Sequence, residues 1–191
     1  SDTVDYSTVS ANLTIDLGVP SAQATGSGTD TFTSIEAIVG GSGDDSILGN
    51  TLSNVLMGGL GDDTLNGVAG LNNTLDGGAD DDLIFWESAG ILENEFYGGS
   101  GSDTFNGDAA SFINTITVDL DANALFLSTT LYAIVDGFEH YDNSAATNGR
   151  EAVRGTSDRN AISTGGGDNT IFGTAGQDSI DGGGEGIEGD T

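Results

Sequence analysis

A repeat of nine residues constrains this chain more than any other feature. Residues 40–48 read GGSGDDSIL, 58–66 read GGLGDDTLN and 98–106 read GGSGSDTFN. All three fit G-G-x-G-x-D-x-U-x, where U is large and apolar. Looser copies lie around them. Segments 31–39, 49–57, 67–76, 77–85 and 86–97 carry Glu36, Asn54, Asn73, Asp82 and Asn94 at the Asp position. Their U residues are Ile38, Leu56, Leu75, Ile84 and Phe96. A second run covers 146–154, 155–163, 164–172 and 173–181, with Glu151, Asn160, Asn169 and Asp178 at the Asp position.

Glycine opens backbone angles closed to other residues, so six residues suffice for a sharp turn. The remaining x-U-x makes a three-residue strand with U pointing inward. Two nonamers then close one coil. The expected fold is all-β, a parallel β-roll or β-helix solenoid. Composition excludes the bland alternative of an acidic disordered tail. Gly is abundant at 32 residues but Pro occurs once, and 36% of residues are hydrophobic at periodic positions.

The charge is the second constraint. Three Lys+Arg against 31 Asp+Glu leave a net −28. A compact chain so charged repels itself unless cations bind. Nucleic acid and anionic membranes are poor partners, because both are met with Lys and Arg, and neither nucleic-acid binding nor membrane insertion is expected. Cys is absent, so thiolate metal sites are excluded as well.

Repeat parity assigns the carboxylates to sides. Asp45, Asp63, Asp82 and Asp103 fall on one side of the roll, and Glu36, Asn54, Asn73 and Asn94 on the other. Calcium takes six to eight hard oxygens. Stacked turns supply one carboxylate each plus main-chain carbonyls. The expected metal set is Asp45, Asp63, Asp82 and Asp103 with the turn residues Gly41, Gly43, Gly59, Gly61, Gly78, Asp80, Gly99 and Gly101. These four turns frame up to three sites. In the second run no side carries two consecutive Asp turns, so one weak site at Asp178 is all that is expected there. Asp44, Asp62 and Asp81 read as solvated surface charge. Binding and folding should be coupled, because unneutralised stacked Asp residues repel.

A longer repeat overlies the nonamers: LTIDL at 13–17 returns as ITVDL at 116–120, and Glu36 aligns with Glu139. The expected organisation is two units. The first, 1–107, has a β-rich lead-in (1–30) and coils (31–106). The second, 108–191, has a lead-in (108–133) and degenerate coils (134–190). Both belong to one continuous solenoid. The chain opens on Ser1 and stops inside a repeat at 182–186, which reads as a piece of a longer protein.

With three full motifs in phase, the chain resembles the RTX, or hemolysin-type calcium-binding, repeat family. The lead-in pattern also looks like a stretch found between RTX blocks in large bacterial secreted proteins. The resemblance implies calcium as ligand, type I export, calcium-triggered folding outside the cell or at its surface, and service as a module of toxins, enzymes or adhesins.

The expected function is therefore a structural calcium module, not an enzyme. No HExxH or GxSxG motif is present. The alternatives are calcium-dependent adhesion or self-assembly, and glycan binding or modification. For glycans, Trp86 in the irregular coil 86–97 is the best exposed candidate, although cap packing is favoured. Phe96 and Phe105 occupy U positions and read as core. His140, the one histidine, reads as a surface side chain.

Overall fold

The computed structural model describes residues 1–68, 72–87, 94–108, 115–120, 124–127, 130–144, 150–172 and 175–183. The strands of the first half are β1 (Thr3–Asp5), β2 (Thr14–Asp16), β3 (Gln23–Ala24), β4 (Thr29–Asp30), β5 (Ala37–Val39), β6 (Ser46–Leu48), β7 (Val55–Leu60), β8 (Thr64–Asn66), β9 (Thr74–Ala79) and β10 (Leu83–Glu87). Those of the second are β11 (Asn94–Ser100), β12 (Thr104–Asp108), β13 (Thr115–Asp119), β14 (Ala124–Leu127), β15 (Thr130–Asp136), β16 (His140–Asp142), β17 (Arg150–Arg154), β18 (Ala161–Ser163), β19 (Thr170–Phe172) and β20 (Ser179–Asp181).

Strands β3 and β4 pair antiparallel in a small sheet of their own, and the other eighteen form two facing sheets. One has ten strands in the order β1-β5-β7-β9-β11-β15-β14-β13-β17-β19, and the other eight, β2-β6-β8-β10-β12-β16-β18-β20. The chain alternates between them, as the nonapeptide parity requires. The eight-stranded sheet is parallel throughout. The fold is the expected all-β parallel solenoid.

Register follows the U residues. Ile47 lies beside Leu65, Leu65 beside Ile84, Ile84 beside Phe105, Phe105 beside Tyr141 and Tyr141 beside Ile162. In the facing sheet Ile38, Leu56, Leu75 and Phe96 align in the same way. All of these are at most 2% exposed. The core is one apolar residue wide per strand, stacked along the axis. Leu13 and Ile15 of the N-terminal segment cover its first coil.

Two details differ from the expected coil. Strands of three residues hold for β6 and β8, but β7, β9 and β11 run on through the next Gly-Gly pair, putting Gly59 beside Gly78 and Gly78 beside Gly99. Glycine pairs lack side chains to part the strands, so parallel hydrogen bonding continues into the turn. The second difference lies between β11 and β17. There β15, β14 and β13 form an antiparallel meander within the ten-stranded sheet. The related lead-ins thus sit on opposite flanks: β2 pairs with β6 in the eight-stranded sheet, and β13 with β17 in the ten-stranded one. The later coils are shifted by half a coil relative to the earlier ones.

Trp86 is packed, the reading favoured over exposure, but it lies in the core of the stack and not at a cap. It is 3% exposed and stacks on Phe105 at 6.3 Å between ring centroids. Phe105 also meets Phe96, Phe138 and Tyr141 at 5.2, 5.4 and 6.2 Å. These rings fill the core where the meander widens the coil. His140 is corrected too. It is half-buried, its Nδ1 accepts the Ala161 amide at 2.8 Å, and its Nε2 lies 2.8 Å from Ser102 Oγ. It bridges three coils.

Candidate metal centre

The turn glycines bring the carboxylates into one column. At the second motif position, Gly59 has φ +123°, and a Cβ there would lie 2.3 Å from the Gly41 carbonyl oxygen. Gly78 and Gly99 repeat the approach, at 2.3 Å from Gly59 O and 2.2 Å from Gly78 O. No side chain fits between coils here, so the turns stack at strand spacing. At the fourth position Gly43, Gly61 and Gly101 are joined by Asp80, a non-glycine residue held at φ +80°. Asp80 Oδ2 accepts the Gly61 amide of the preceding coil at 3.1 Å.

Asp45, Asp63, Asp82 and Asp103 are each at most 2% exposed. Their Oδ1 atoms form a ladder. The amide of Asp45 donates to Asp63 at 2.7 Å, that of Asp63 to Asp82 at 2.8 Å, and that of Asp82 to Asp103 at 2.9 Å. Leu13 donates to Asp45 below, and Asp103 donates to Glu139 Oε2 above, at 2.8 and 2.9 Å. So each carboxylate has one oxygen satisfied by the neighbouring coil.

The second oxygen is the informative one. Asp45 Oδ2 accepts the Gly41 amide at 2.9 Å. The Oδ2 atoms of Asp63, Asp82 and Asp103 are buried without a hydrogen-bond partner. A buried, unpaired carboxylate oxygen is costly. Burial pushes Asp63 and Asp82 up to about 7 and Asp103 to about 6. Neighbouring carboxylates add to this: Asp45, Asp82 and Asp44 around Asp63, and Glu139 and Asp81 around Asp103.

The first-position glycines show what these oxygens face. A Cβ on Gly58 would lie 2.1 Å from Asp63 Oδ2 and 2.6 Å from Gly77 O of the next coil. On Gly40 it would lie 2.7 Å from Asp45 Oδ2 and 2.1 Å from Gly58 O. Each cradle is thus lined by a carboxylate oxygen of its own turn and a main-chain carbonyl of the next. An unpaired carboxylate oxygen beside a main-chain carbonyl, as over Gly58, suits a hard cation that takes oxygen ligands. Among the described residues no three His, Cys, Asp or Glu side chains converge on one point, so any cation here relies on carbonyls beside single carboxylates.

At Asn54, Asn73 and Asn94 the opposite flank meets the same problem with amides, although Glu151 further along that flank again buries an unpaired carboxylate oxygen. Asn54 donates its amide to Asn73 Oδ1, and Asn73 to Asn94 Oδ1, both at 2.8 Å. The spare Asn73 Nδ2 donates to Gly67 O at 3.2 Å, and Asn169 Nδ2 to Gly165 O at 2.8 Å. An amide supplies the proton that a carboxylate lacks.

Asp44, Asp62 and Asp81 are exposed, yet they too form a ladder, running the other way. Asp62 N donates to Asp44 Oδ1 at 3.1 Å, Asp81 N to Asp62 at 3.0 Å and Ser102 N to Asp81 at 2.8 Å. Asp178 stands apart from the column of four: its Oδ1 accepts the Asn160 amide at 3.1 Å, and it is half-buried.

Sequence reasoning missed the first-position glycines, whose carbonyls face the unpaired oxygens, although the doubled Gly of the motif was their signal. It also missed that Glu139 caps the ladder.

A family model for the RTX calcium-binding nonapeptide repeat matches four stretches of the chain, at residues 39–72, 72–85, 93–111 and 154–185. Together they cover just over half of the sequence, including all four Asp turns of the column. No curated protein matches the chain. The repeats of this family bind Ca²⁺. By its motif, by its parallel solenoid and by this match, the chain belongs to the RTX calcium-binding nonapeptide repeat family.

Proposed function

We propose that this chain is a calcium-folded structural module of a bacterial secreted or cell-surface protein, exported by a type I system. The observation that carries the reading is the set of three buried, unpaired Oδ2 atoms on Asp63, Asp82 and Asp103, each in the turn of a repeat that binds calcium as a class. Asp45, Asp63, Asp82 and Asp103 hold the ions through carboxylate oxygens. Turn carbonyls complete the shell, from Gly41, Gly43, Gly59, Gly61, Gly78, Asp80, Gly99 and Gly101, and from the first-position glycines Gly58 and Gly77. The ion supplies the positive charge that lets stacked carboxylates stay buried and ionised. Asp178 contributes at most one weak site, since it sits half-buried beside Asn160.

The two units, 1–107 and 108–191, act as one solenoid in this reading. Its support is that β12 pairs directly with β16, so the eight-stranded sheet passes across the boundary. Among the described residues no helix is long and apolar enough to cross a membrane. We assign the chain no catalysis.

The test is a calcium titration followed by far-ultraviolet circular dichroism, with chelator as control. β-sheet signal should rise with calcium and vanish with chelator at low salt. A fold unchanged by chelation would refute the reading.

A second reading, calcium-dependent self-assembly, has one observation in its favour. Ile180 occupies an inward-facing U position of β20 yet is 50% exposed, and Phe172 of β19 is 53% exposed. Ile180, on the edge strand of its sheet, is apolar surface that a further coil would cover, whereas Phe172 follows the inward Ile171 and faces out. Light scattering against calcium concentration separates the two, because a strict monomer at every calcium level removes self-assembly. The glycan reading loses its anchor with Trp86 in the core.

A further inference from the structure

We propose that the calcium column continues one position beyond the last full nonapeptide, into a site between the turn 98–103 and the turn Gly137–Glu139. The inference rests on the calcium reading above and extends it to residues that the family match leaves out, since 112–153 lie between matched stretches.

Three observations meet at this place. First, the half-coil shift carries Glu139 into the Asp column. Its Oε2 accepts the Asp103 amide at 2.9 Å, the position that an Asp Oδ1 takes at every earlier step. Second, the cradle recurs with a substitute wall. A Cβ on Gly98 would lie 2.1 Å from Gly137 O and 2.8 Å from Asp103 Oδ2. That is the pairing of Gly58 O with Asp45 Oδ2 over Gly40, and of Gly77 O with Asp63 Oδ2 over Gly58. Gly137 reaches it at φ +77°, a left-handed conformation open to glycine. Third, Asp103 is fully buried and its Oδ2, directed into this cradle, has no partner.

The chemistry matches that of the earlier positions. Asp103 Oδ2, which has no hydrogen-bond partner, and the Gly137 carbonyl meet over Gly98, and the Glu139 carboxylate adds negative charge beside Asp103. A hard divalent cation satisfies all three groups. Parity on the sequence ends the column at Asp103 because no nonapeptide follows it. The fold restores the missing turn from three residues, Gly137, Phe138 and Glu139, after the meander has returned the chain to the right flank.

Two measurements test this. Calorimetric titration with CaCl₂ compares the wild type with Glu139→Gln, which keeps an acceptor for the Asp103 amide but removes the charge. One class of site is expected to weaken by about 10–100-fold or to vanish, and unchanged stoichiometry and affinities would overturn the proposal. The second uses the wild-type chain alone. Crystals grown with CaCl₂ should show anomalous density between Asp103 Oδ2 and Gly137 O as well as beside Gly58 and Gly77. Density beside Gly58 and Gly77 with none at Gly137 would refute the extension alone. No density at any of them would refute the calcium column itself.

Discussion

Asp63 and Asn73 occupy the same motif position on opposite flanks, and one atom separates their fates. Both lend an oxygen to the amide of the preceding coil. Only Asn73 has a proton left for a turn carbonyl. Asp63→Asn should therefore remove calcium from its turn while filling the cradle with an N–H. Calorimetry is expected to show fewer ions bound. The metal-free chain should gain on the order of 1 kcal/mol in a chelator-containing melt, about one hydrogen bond. The titration of the column has a definite sign. Burial raises Asp63, Asp82 and Asp103 above the ordinary value of 3.8, to about 7, 7 and 6. Without metal, the folded chain thus binds protons more tightly than the unfolded one. The stability that these three groups contribute is fully present below about pH 4 and is lost as pH rises through 6–7. With calcium the dependence reverses, since protons compete for the ligand oxygens. Melting in chelator and calcium affinity, each followed from pH 4 to 8, should move in opposite directions. The sixth-position residues were legible in the sequence because identity and spacing alone assign them a flank. The first-position carbonyls were not, because glycine in a motif announces a turn without telling which way its oxygen points.

At the scale of the element, strands such as β6 and β8 contribute one buried side chain and little else, while β10 contributes two, Ile84 and Trp86. A β-strand with a single inward residue has no redundancy, so Leu65→Ala should cost about 2–5 kcal/mol, read as a loss of melting temperature in calcium. Gly59→Ala tests the turn: its Cβ would meet the Gly41 carbonyl at 2.3 Å with φ at +123°. The backbone strain alone is worth roughly 1–3 kcal/mol, and the carbonyl clash adds to it, so this variant should need far more calcium to fold. Trp86 offers a reporter at the same scale. Stacked on Phe105 in the core, its fluorescence should shift to the blue as calcium is added. The nonapeptide period was enough to place β6, β8 and the U residues. It could not show Trp86 as core, because coil 86–97 breaks the period and the ring is buried by partners far along the chain, Phe105 of β12 above all. Nor could it show β7, β9 and β11 continuing through their glycines, since a pair of glycines reads as turn whether or not its amides are paired.

Across the whole molecule the nonapeptide dictates a stack of coils, and the interruption at β13–β15 sets how the later coils join it. The matching lead-ins LTIDL and ITVDL were visible in the sequence. Their landing on opposite flanks was not, because parity counts residues within unbroken repeats and the meander adds strands to one sheet alone. That inequality has a geometric consequence. From β11 to β17 the ten-stranded sheet passes three intervening strands, while from β12 to β18 the facing sheet passes only β16. At ~4.8 Å per strand one wall is about 10 Å longer than the other over the same stretch. Either the extra rows lean outward or the axis bows, convex on the longer wall. A bowed axis would make the module an elbow whose angle is set by strand count, and small-angle X-ray scattering would show it as a bent rod instead of a straight one.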